Sequence, residues 1–464
     1  MTTRAVVIGA SIAGLLAARV LADVVDEVVL VERDELPDEA IARPGVPHAV
    51  HAHILLRRGY LELVRLYPAL ERRLAEGGAV PIDLTRDAVY ITPGGEAPRF
   101  ASSLRSRAAS RDLFEAVIRE LTLQRPNVRV LGGHEVVGLT GDADRVGGVR
   151  VRRRATPTGA GVEEIASWLV VDASGRHSRT PALLREIGGP LLAETVVDAS
   201  LRYATRIYRA PQRRPDWKIL LVRDRPPAGT RGGGVFPLEG DRWVVTLGGA
   251  GADHPPTDEA GYLEFSRTLI APRLFEAIRD AEPLTPVRGW ALTANRWRHV
   301  EQVEHWPAGF ILLGDSLCAL NPVYGQGMSV AAMEARTLEA WLSSVAVARA
   351  MKSASAPVTA GLVRSLARTA RLPWFMATAE DAMVPGVQGA PNPGFLGRLA
   401  GRYFDEVYAD AARDRQTLRR FTEVSQLVRP PIALLDPAVV WRVTRSVASK
   451  VVGSARANHA SSTP

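Results

Sequence analysis

The sequence predicts an α/β protein. It is read as a three-layer, Rossmann-like nucleotide-binding domain that is discontinuous in sequence, an inserted mixed or antiparallel β-sheet, and a C-terminal helical region. Three observations predict this. A strand, a glycine turn, a helix, a second strand and an acid follow one another within the first 32 residues. Alternation of apolar and polar residues marks the stretch 201–294 as half-buried strands. An apolar run ending in Gly314-Asp315 then returns late in the chain and leads through a Pro/Gly loop into a new helix.

The opening unit is the most specific. Ala5-Val6-Val7-Ile8 is a β-branched run, broken by Gly9-Ala10-Ser11-Ile12-Ala13-Gly14. Residues 15–22 are small and aliphatic and read as a helix, and Val28-Val29-Leu30-Val31 is a second strand ending on Glu32. This order, with the acid about 20 residues beyond the turn, is a dinucleotide-binding fingerprint. Gly9 permits the sharp reversal, and Gly14 lets the helix pack closely on the sheet. The N–H groups at the helix start suit a pyrophosphate. A carboxylate at Glu32 suits ribose hydroxyls and disfavours a 2′-phosphate. Ser11 replaces the middle glycine, which crowds the approach to phosphate slightly.

Further along, residues 110–123 form an amphipathic helix with Leu113, Phe114, Val117, Ile118 and Leu121 at helical spacing. Residues 127–131, 134–140 and 146–153 read as consecutive strands of a meander, 156–162 as a turn, and Trp168-Leu169-Val170-Val171 as a buried strand. Strands are expected at 201–208, 217–222, 234–238 and 242–247, with a helix at 262–278. A core strand at 310–313 and a helix at 327–342 follow. The domain expectation is a nucleotide-binding domain from 1–80, 100–200 and 295–345, and a second sheet domain from 81–99 and 201–294. A helical region at 346–453, broken by a loop at 384–394, and a disordered tail at 454–464 complete it.

Composition narrows the class. With 46% hydrophobic and 23% charged residues over 464 positions, the chain reads as a soluble globular protein with a large core. The net charge is +8, yet no basic block or aromatic-interleaved stripe suggests nucleic-acid binding. Cys318 is the single cysteine, which excludes an intramolecular disulfide, a redox CxxC and a zinc cluster. The N-terminal apolar run is too short and too glycine-cut to span a membrane, so a cytoplasmic location is expected, as a monomer or homodimer.

Asp315 would lie at the carboxyl end of a parallel strand, where open α/β sheets bind ligands. Gly325 and Gly327 strip side chains from the following loop. A helix-capping Asp with an ordinary glycine loop is the plain alternative. His51 and His53 lack a third ligand nearby for a metal; contact with cofactor or substrate and ordinary polar packing both stay open. Arg206 faces either a cavity or solvent. Trp217, Trp243, Trp290 and Trp297 suit core packing at least as well as a pocket wall. Val439, Val440, Val443, Val447 and Val451 give 437–452 an apolar face, which either packs on its own domain or meets a membrane surface.

Taken together these segments resemble the class A FAD-dependent monooxygenase superfamily, with the p-hydroxybenzoate hydroxylase-like fold. The likeness is closest to bacterial natural-product flavin epoxidases of the polyether or polyene type. It is carried by Gly9–Gly14 with Glu32, the Arg43-Pro-Gly-Val-Pro-His-Ala-Val-His-Ala-His53 segment, Ser110-Arg111, and Val171-Asp-Ala-Ser-Gly-Arg-His-Ser178. Residues 203–211, Gly314-Asp315 through Gly327, Pro373-Trp374, Glu380-Asp381 and 434–437 add to it.

The resemblance implies that Gly9, Ser11 and Gly14 hold the FAD pyrophosphate, Glu32 with neighbouring Arg33 the adenosine ribose, and Arg111 a further part of FAD. It places Asp315 by the ribityl chain, and Pro322, Gly325, Gly327 and neighbouring Met328 along the isoalloxazine. Ser174 replaces an aspartate that relatives use near FAD and the nicotinamide donor, so the use of NADPH or NADH is open. His48 stands where relatives carry Gln. The implied chemistry is oxygen transfer from a flavin C4a-hydroperoxide to a hydrophobic polyene or polyketide intermediate, by epoxidation or hydroxylation. A non-redox flavoprotein cyclase performing [4+2] cycloaddition, and an isoprenoid reductase, are the alternatives on the same fold. No Trp-x-Trp-x-Ile-Pro segment supports a halogenase.

Overall fold

The computed structural model describes residues 3–154, 161–344, 347–348, 358–392 and 394–445. Two compact units emerge, each discontinuous: 1–80, 109–201 and 290–390 in the first, and 81–108, 202–289 and 391–464 in the second.

The first unit is built on a five-stranded, wholly parallel sheet. Its order is Phe310–Leu312, Leu169–Asp172, Arg4–Ile8, Glu27–Val31, Val128–Leu131. The strands are near-continuous apolar runs because both faces are covered. Val6, Val7, Val29, Val170 and Ile311 have no accessible surface. Helix Ile12–Leu21 packs its small side chains against helix Gly327–Leu342. Register sets the chemistry: Ile8 lies opposite both Val31 and Asp172, and Asp172 opposite Leu312. The residues that follow, Gly9, Glu32, Ala173 and Leu313 with Asp315 beyond it, therefore leave the sheet along one carboxyl edge, where open α/β sheets bind their ligands.

The expected meander is corrected in one respect. Val128–Leu131 is not its first strand but the outer parallel strand of the main sheet, paired with Glu27–Val31. The antiparallel trio is His134–Gly141, Val146–Arg153 and Val162–Ala166. The expected turn at 156–162 lies mostly outside the described residues. A second small sheet joins Glu194–Val197, Asn295–Arg298 and Cys318–Ala319.

The second unit holds a seven-stranded mixed sheet. Ala88–Thr92 runs parallel to Ile219–Arg223, which then pairs antiparallel with Gly232–Leu238, and so on through Arg242–Gly249 to Arg202–Arg209. Its core stacks Trp217 on Trp243 at 5.4 Å and buries Tyr208 and Tyr262. The single helix expected at 262–278 is two, Glu259–Arg267 and Arg273–Ile278, because Pro272 cannot continue a helix and begins the next one as its N-cap. Of the helices expected at 346–453, Ala360–Asp381 belongs to the first unit, and Gly394–Ala411 and Arg415–Ser425 to the second. The expected tail at 454–464, and the last part of the valine-faced segment at 437–452, lie outside the described residues. No described helix is long and apolar enough to cross a membrane.

Candidate functional site

The nucleotide end is built by the turn after the first strand. Gly9 has φ +97°, and a Cβ there would meet the Ala173 carbonyl at 2.7 Å. A Cβ on Gly14 would overlap the carbonyl oxygen of Gly9. Both glycines are thus required by close backbone approach. The first intrahelical bond runs from Leu15 N–H to Ser11 O, and no side chain caps the helix. The N–H groups at 12–14 face outward at the positive end of the helix, the arrangement an anion seeks.

Ser11 does not point at this helix start. Its hydroxyl accepts from Arg111 Nη2 at 2.8 Å and donates to Glu115 Oε2 at 3.1 Å. It is the first member of a buried charge cluster. Arg43 Nε pairs with Glu115 at 2.8 Å, and its Nη1 reaches Asp34 at 3.0 Å and Glu32 at 3.3 Å. Arg111 pairs with Glu115 at 2.8 Å. Burial alone would raise the Glu115 carboxyl, but Arg111 and Arg43 overcome it and hold it below its ordinary range. Glu32 accepts Ala10 N–H at 2.8 Å and Asp34 N–H at 3.1 Å. Those bonds lock the acid to the glycine turn while leaving it lone pairs for a hydroxyl. Arg33 is exposed and reaches the Gly45 carbonyl at 3.1 Å. Two buried donors, Arg43 Nη2 and Arg111 Nη1, have no hydrogen-bond partner among the described residues.

The second end starts at Asp315, in the short turn after Phe310–Leu312. Ser316 fixes this turn by donating to the Asp172 carbonyl at 2.5 Å. The Asp315 carboxylate lies deep in the unit, retains accessible surface, and makes no hydrogen bond or ion pair among the described residues. Burial raises its pKa against the pull of Arg176, Arg111 and Arg298. Gly327 lies beside it: a Cβ there would stand in ordinary van der Waals contact, 3.7 Å from Asp315 Oδ1. Gly325 has φ +64°, and its Cα hydrogen faces Ile54 where a Cβ would come within 2.9 Å. Pro322 and Met328 are half-buried beside them, and Gln326 Oε1 is buried without a partner among the described residues.

Residues 48–54 bring the histidines to this end. His48 lies 5.4 Å from His53 and 5.8 Å from Trp290, and His51 lies 5.7 Å from Trp290, measured between ring centroids. Burial, with Arg111 next, pushes His48 down to about 4; burial pushes His51 down to about 4 and His53 well below its ordinary value. Burial thus favours the neutral form of all three rings. The loop after Leu169–Asp172 is organised by Asp172, which accepts from Ser174, from Ser178 at 2.5 Å and from Thr180. Arg176 donates to the carbonyls of Ala294 at 2.5 Å and Leu320 at 2.8 Å. Arg206, in the second unit, is buried and pairs with Glu259 at 3.0 Å.

Sequence reasoning missed Arg43, Asp34 and Glu115 as a cluster. The available signal was the Arg111, Glu115, Arg119 spacing, which puts three charges along one line of an amphipathic helix. A surface depression of about 620 Å3 lined by Asp144, Pro190, His299 and His305 holds none of the residues above.

Residues 2–354 match the FAD binding domain family, and the chain belongs to it. It is 33% identical over 448 residues to Protein Rv3254 of Mycobacterium tuberculosis, covering 92% of this chain and 91% of that one. Its fold is similar to PqsL, a probable FAD-dependent monooxygenase from Pseudomonas aeruginosa. The TM-score is 0.57 at 15% identity, over 89% of this chain and 98% of that one. It is also similar to the myxobacterial chondrochloren halogenase CndH, with a TM-score of 0.61 at 15% identity, over 92% and 97%. FAD is the cofactor of this fold. Arg111 Nη1, which has no partner among the described residues, the uncapped helix start and Asp315 beside Gly327 fit it.

Proposed function

We propose that this chain is an FAD-dependent monooxygenase that transfers one oxygen atom from O2 to a hydrophobic small molecule, with NADH or NADPH as reductant. The substrate is a polyene or polyketide chain, and the preferred reaction is epoxidation. Bound FAD supplies the redox chemistry and oxygen activation; the protein supplies position, charge and dryness. In this reading helix Ile12–Leu21 presents its N–H groups to the pyrophosphate, with Arg111 beside them. Glu32 holds the adenosine ribose with Arg33 at the rim, and Asp315 binds a ribityl hydroxyl. The loop 322–328 lies along the ring.

One observation carries the choice of substrate. The rings of His48, His51, His53 and Trp290 pack side by side, with neighbouring centroids 5.4–5.8 Å apart, and burial pushes all three imidazoles towards their neutral form. An imidazole with a pKa of about 4 is too weak a base to ionise a phenol, whose pKa is about 10. An alkene needs no such base, only proximity and exclusion of water. A second reading, the non-redox cyclase, is favoured by the loop at 172–178. Ser174 is tied to Asp172, and Arg176 is engaged with two backbone carbonyls, so neither offers a free ionic contact to a nicotinamide donor.

Anaerobic mixing of the FAD-loaded protein with NADH and with NADPH decides between them. The monooxygenase reading expects loss of the yellow flavin absorbance with one donor, faster in the presence of a polyene. It also expects a product heavier by one oxygen atom after air is admitted. Unbleached flavin with both donors, together with polyene cyclisation, sinks it. Asp315→Ala should weaken FAD binding by about tenfold to a hundredfold, the value of hydrogen bonds to a charged acceptor, read by flavin fluorescence titration. Undiminished affinity would remove Asp315 from the cofactor site.

A further inference from the structure

We propose that Asp381, at the end of the Ala360–Asp381 helix, is the positioning residue that fixes the loop carrying Pro322 and Gly325 against the flavin ring. This rests on the reading above, in which that loop lies along the isoalloxazine.

Asp381 is 1% exposed and lies about sixty residues beyond the loop in sequence. Its carboxylate collects donors from three places. Asn295 Nδ2, on the strand Asn295–Arg298, donates at 2.6 Å. Asn321 Nδ2, at the start of the loop, donates to both oxygens at 3.3 Å. Tyr324 O–H, immediately before Gly325, donates at 2.5 Å. Asn295 Oδ1 in turn accepts Asn321 N–H at 2.7 Å, and Asn321 Oδ1 accepts Val323 N–H at 3.2 Å.

The loop is therefore gripped at both ends of its Pro322–Tyr324 turn by one carboxylate. The glycine that follows leaves the grip in a left-handed conformation, φ +64°. A loop meant to lie flat on a planar ring must hold one shape, and glycine gives it no intrinsic stiffness. The stiffness comes from hydrogen bonds to a buried charged acceptor, which are the strong kind. A carboxylate buried this deeply persists only while its donors stay in place.

The test compares FAD with ADP as probes of the full-length protein. ADP reports only the adenosine end near Gly9 and Glu32. Asp381→Asn puts an N–H2 where one of the donors now points, so the network loses at least one bond. FAD affinity should fall about tenfold, ADP affinity should stay within twofold, and the visible circular dichroism of bound flavin should change. Tyr324→Phe removes the bond to Asp381 while leaving the carboxylate in place and should show the same pattern more weakly, so it serves if Asp381→Asn does not fold. The two changes combined should lose less than the sum. Equal weakening of FAD and ADP would make Asp381 merely structural, and an unchanged flavin spectrum with unchanged FAD affinity would overturn the assignment. Gly325→Ala separates the two levels. If Gly325→Ala changes the flavin spectrum and Asp381→Asn does not, this proposal fails alone. If neither does, the ring does not lie on the loop, and the placement of the ring fails with it.

Discussion

Gly14→Ala is expected to yield a protein that does not retain FAD and is destabilised by about 3 kcal/mol or more. The added methyl would overlap the Gly9 carbonyl oxygen, which is backbone and has nowhere to go. Gly9 is held by its N–H to the Val31 carbonyl at 2.8 Å, and the next residue, Ala10, is held by Glu32 at 2.8 Å. Relief must therefore come from moving helix Ile12–Leu21 off the sheet, which breaks a packed, fully buried interface. Overpacking of a well-packed core costs about 1–3 kcal/mol where side chains can yield, and more where only backbone can. The helix start would also leave the sheet edge, taking with it the N–H groups offered to the pyrophosphate. Gly361→Ala is the matched control: a Cβ there meets nothing within 4 Å, and stability should change by less than about 1 kcal/mol. Urea unfolding and flavin absorbance of the two purified variants provide the check. A Gly14→Ala protein as stable and as yellow as the parent would contradict the close approach on which the nucleotide end depends.

That close approach was legible in the sequence because it is local: strand, turn, helix and strand are contiguous, and each glycine has one steric reason to be there. The helix at 327–342 was legible for the same reason, from a glycine-rich start and unbroken periodicity. Other parts were not, because the forces that set them act across the chain. Val128–Leu131 has the same composition as a meander strand; only its partner, Glu27–Val31, about a hundred residues earlier, makes it parallel. The charge cluster joins Glu32, Asp34 and Arg43 to Glu115 over more than seventy residues. No periodicity within either segment requires that pairing. Ser174 in place of an aspartate looked like the loss of a carboxylate from its loop. Asp172 supplies one two residues earlier, from the end of the buried strand, and the hydroxyls of Ser174, Ser178 and Thr180 turn toward it.

Glu334→Gln is expected to flatten the fall of stability with pH. Glu334 lies on the buried side of helix Gly327–Leu342 with no accessible surface. Its Oε2 accepts Gly314 N–H at 2.6 Å, and its Oε1 is buried without a partner among the described residues. Burial chiefly, with the Asp315 charge beside it, pushes its pKa up to about 8 against the pull of the Gly314 N–H. The sign follows from proton count. Between about 4.5 and 8 the folded protein holds a proton on this group and the unfolded chain does not, so folding loses stability as pH rises through that window. One proton corresponds to about 1.4 kcal/mol per pH unit, so this group alone removes on the order of 3 kcal/mol between pH 5 and 8. Gln keeps the volume and can keep the bond from Gly314, but it does not titrate. Below pH 5 the two proteins should be within about 1 kcal/mol, with Gln the weaker because its second amide hydrogen has no acceptor. By pH 8 the variant should be the more stable by about 2 kcal/mol, from urea unfolding at each pH. Parallel curves would mean that Glu334 folds already ionised. The neutral acid also bears on Asp315, the adjacent carboxylate whose pKa burial already raises. A second charge lodged behind the Gly314 turn would drive that pKa higher still. A neutral Glu334 braces the turn through one hydrogen bond without adding a second charge beside Asp315.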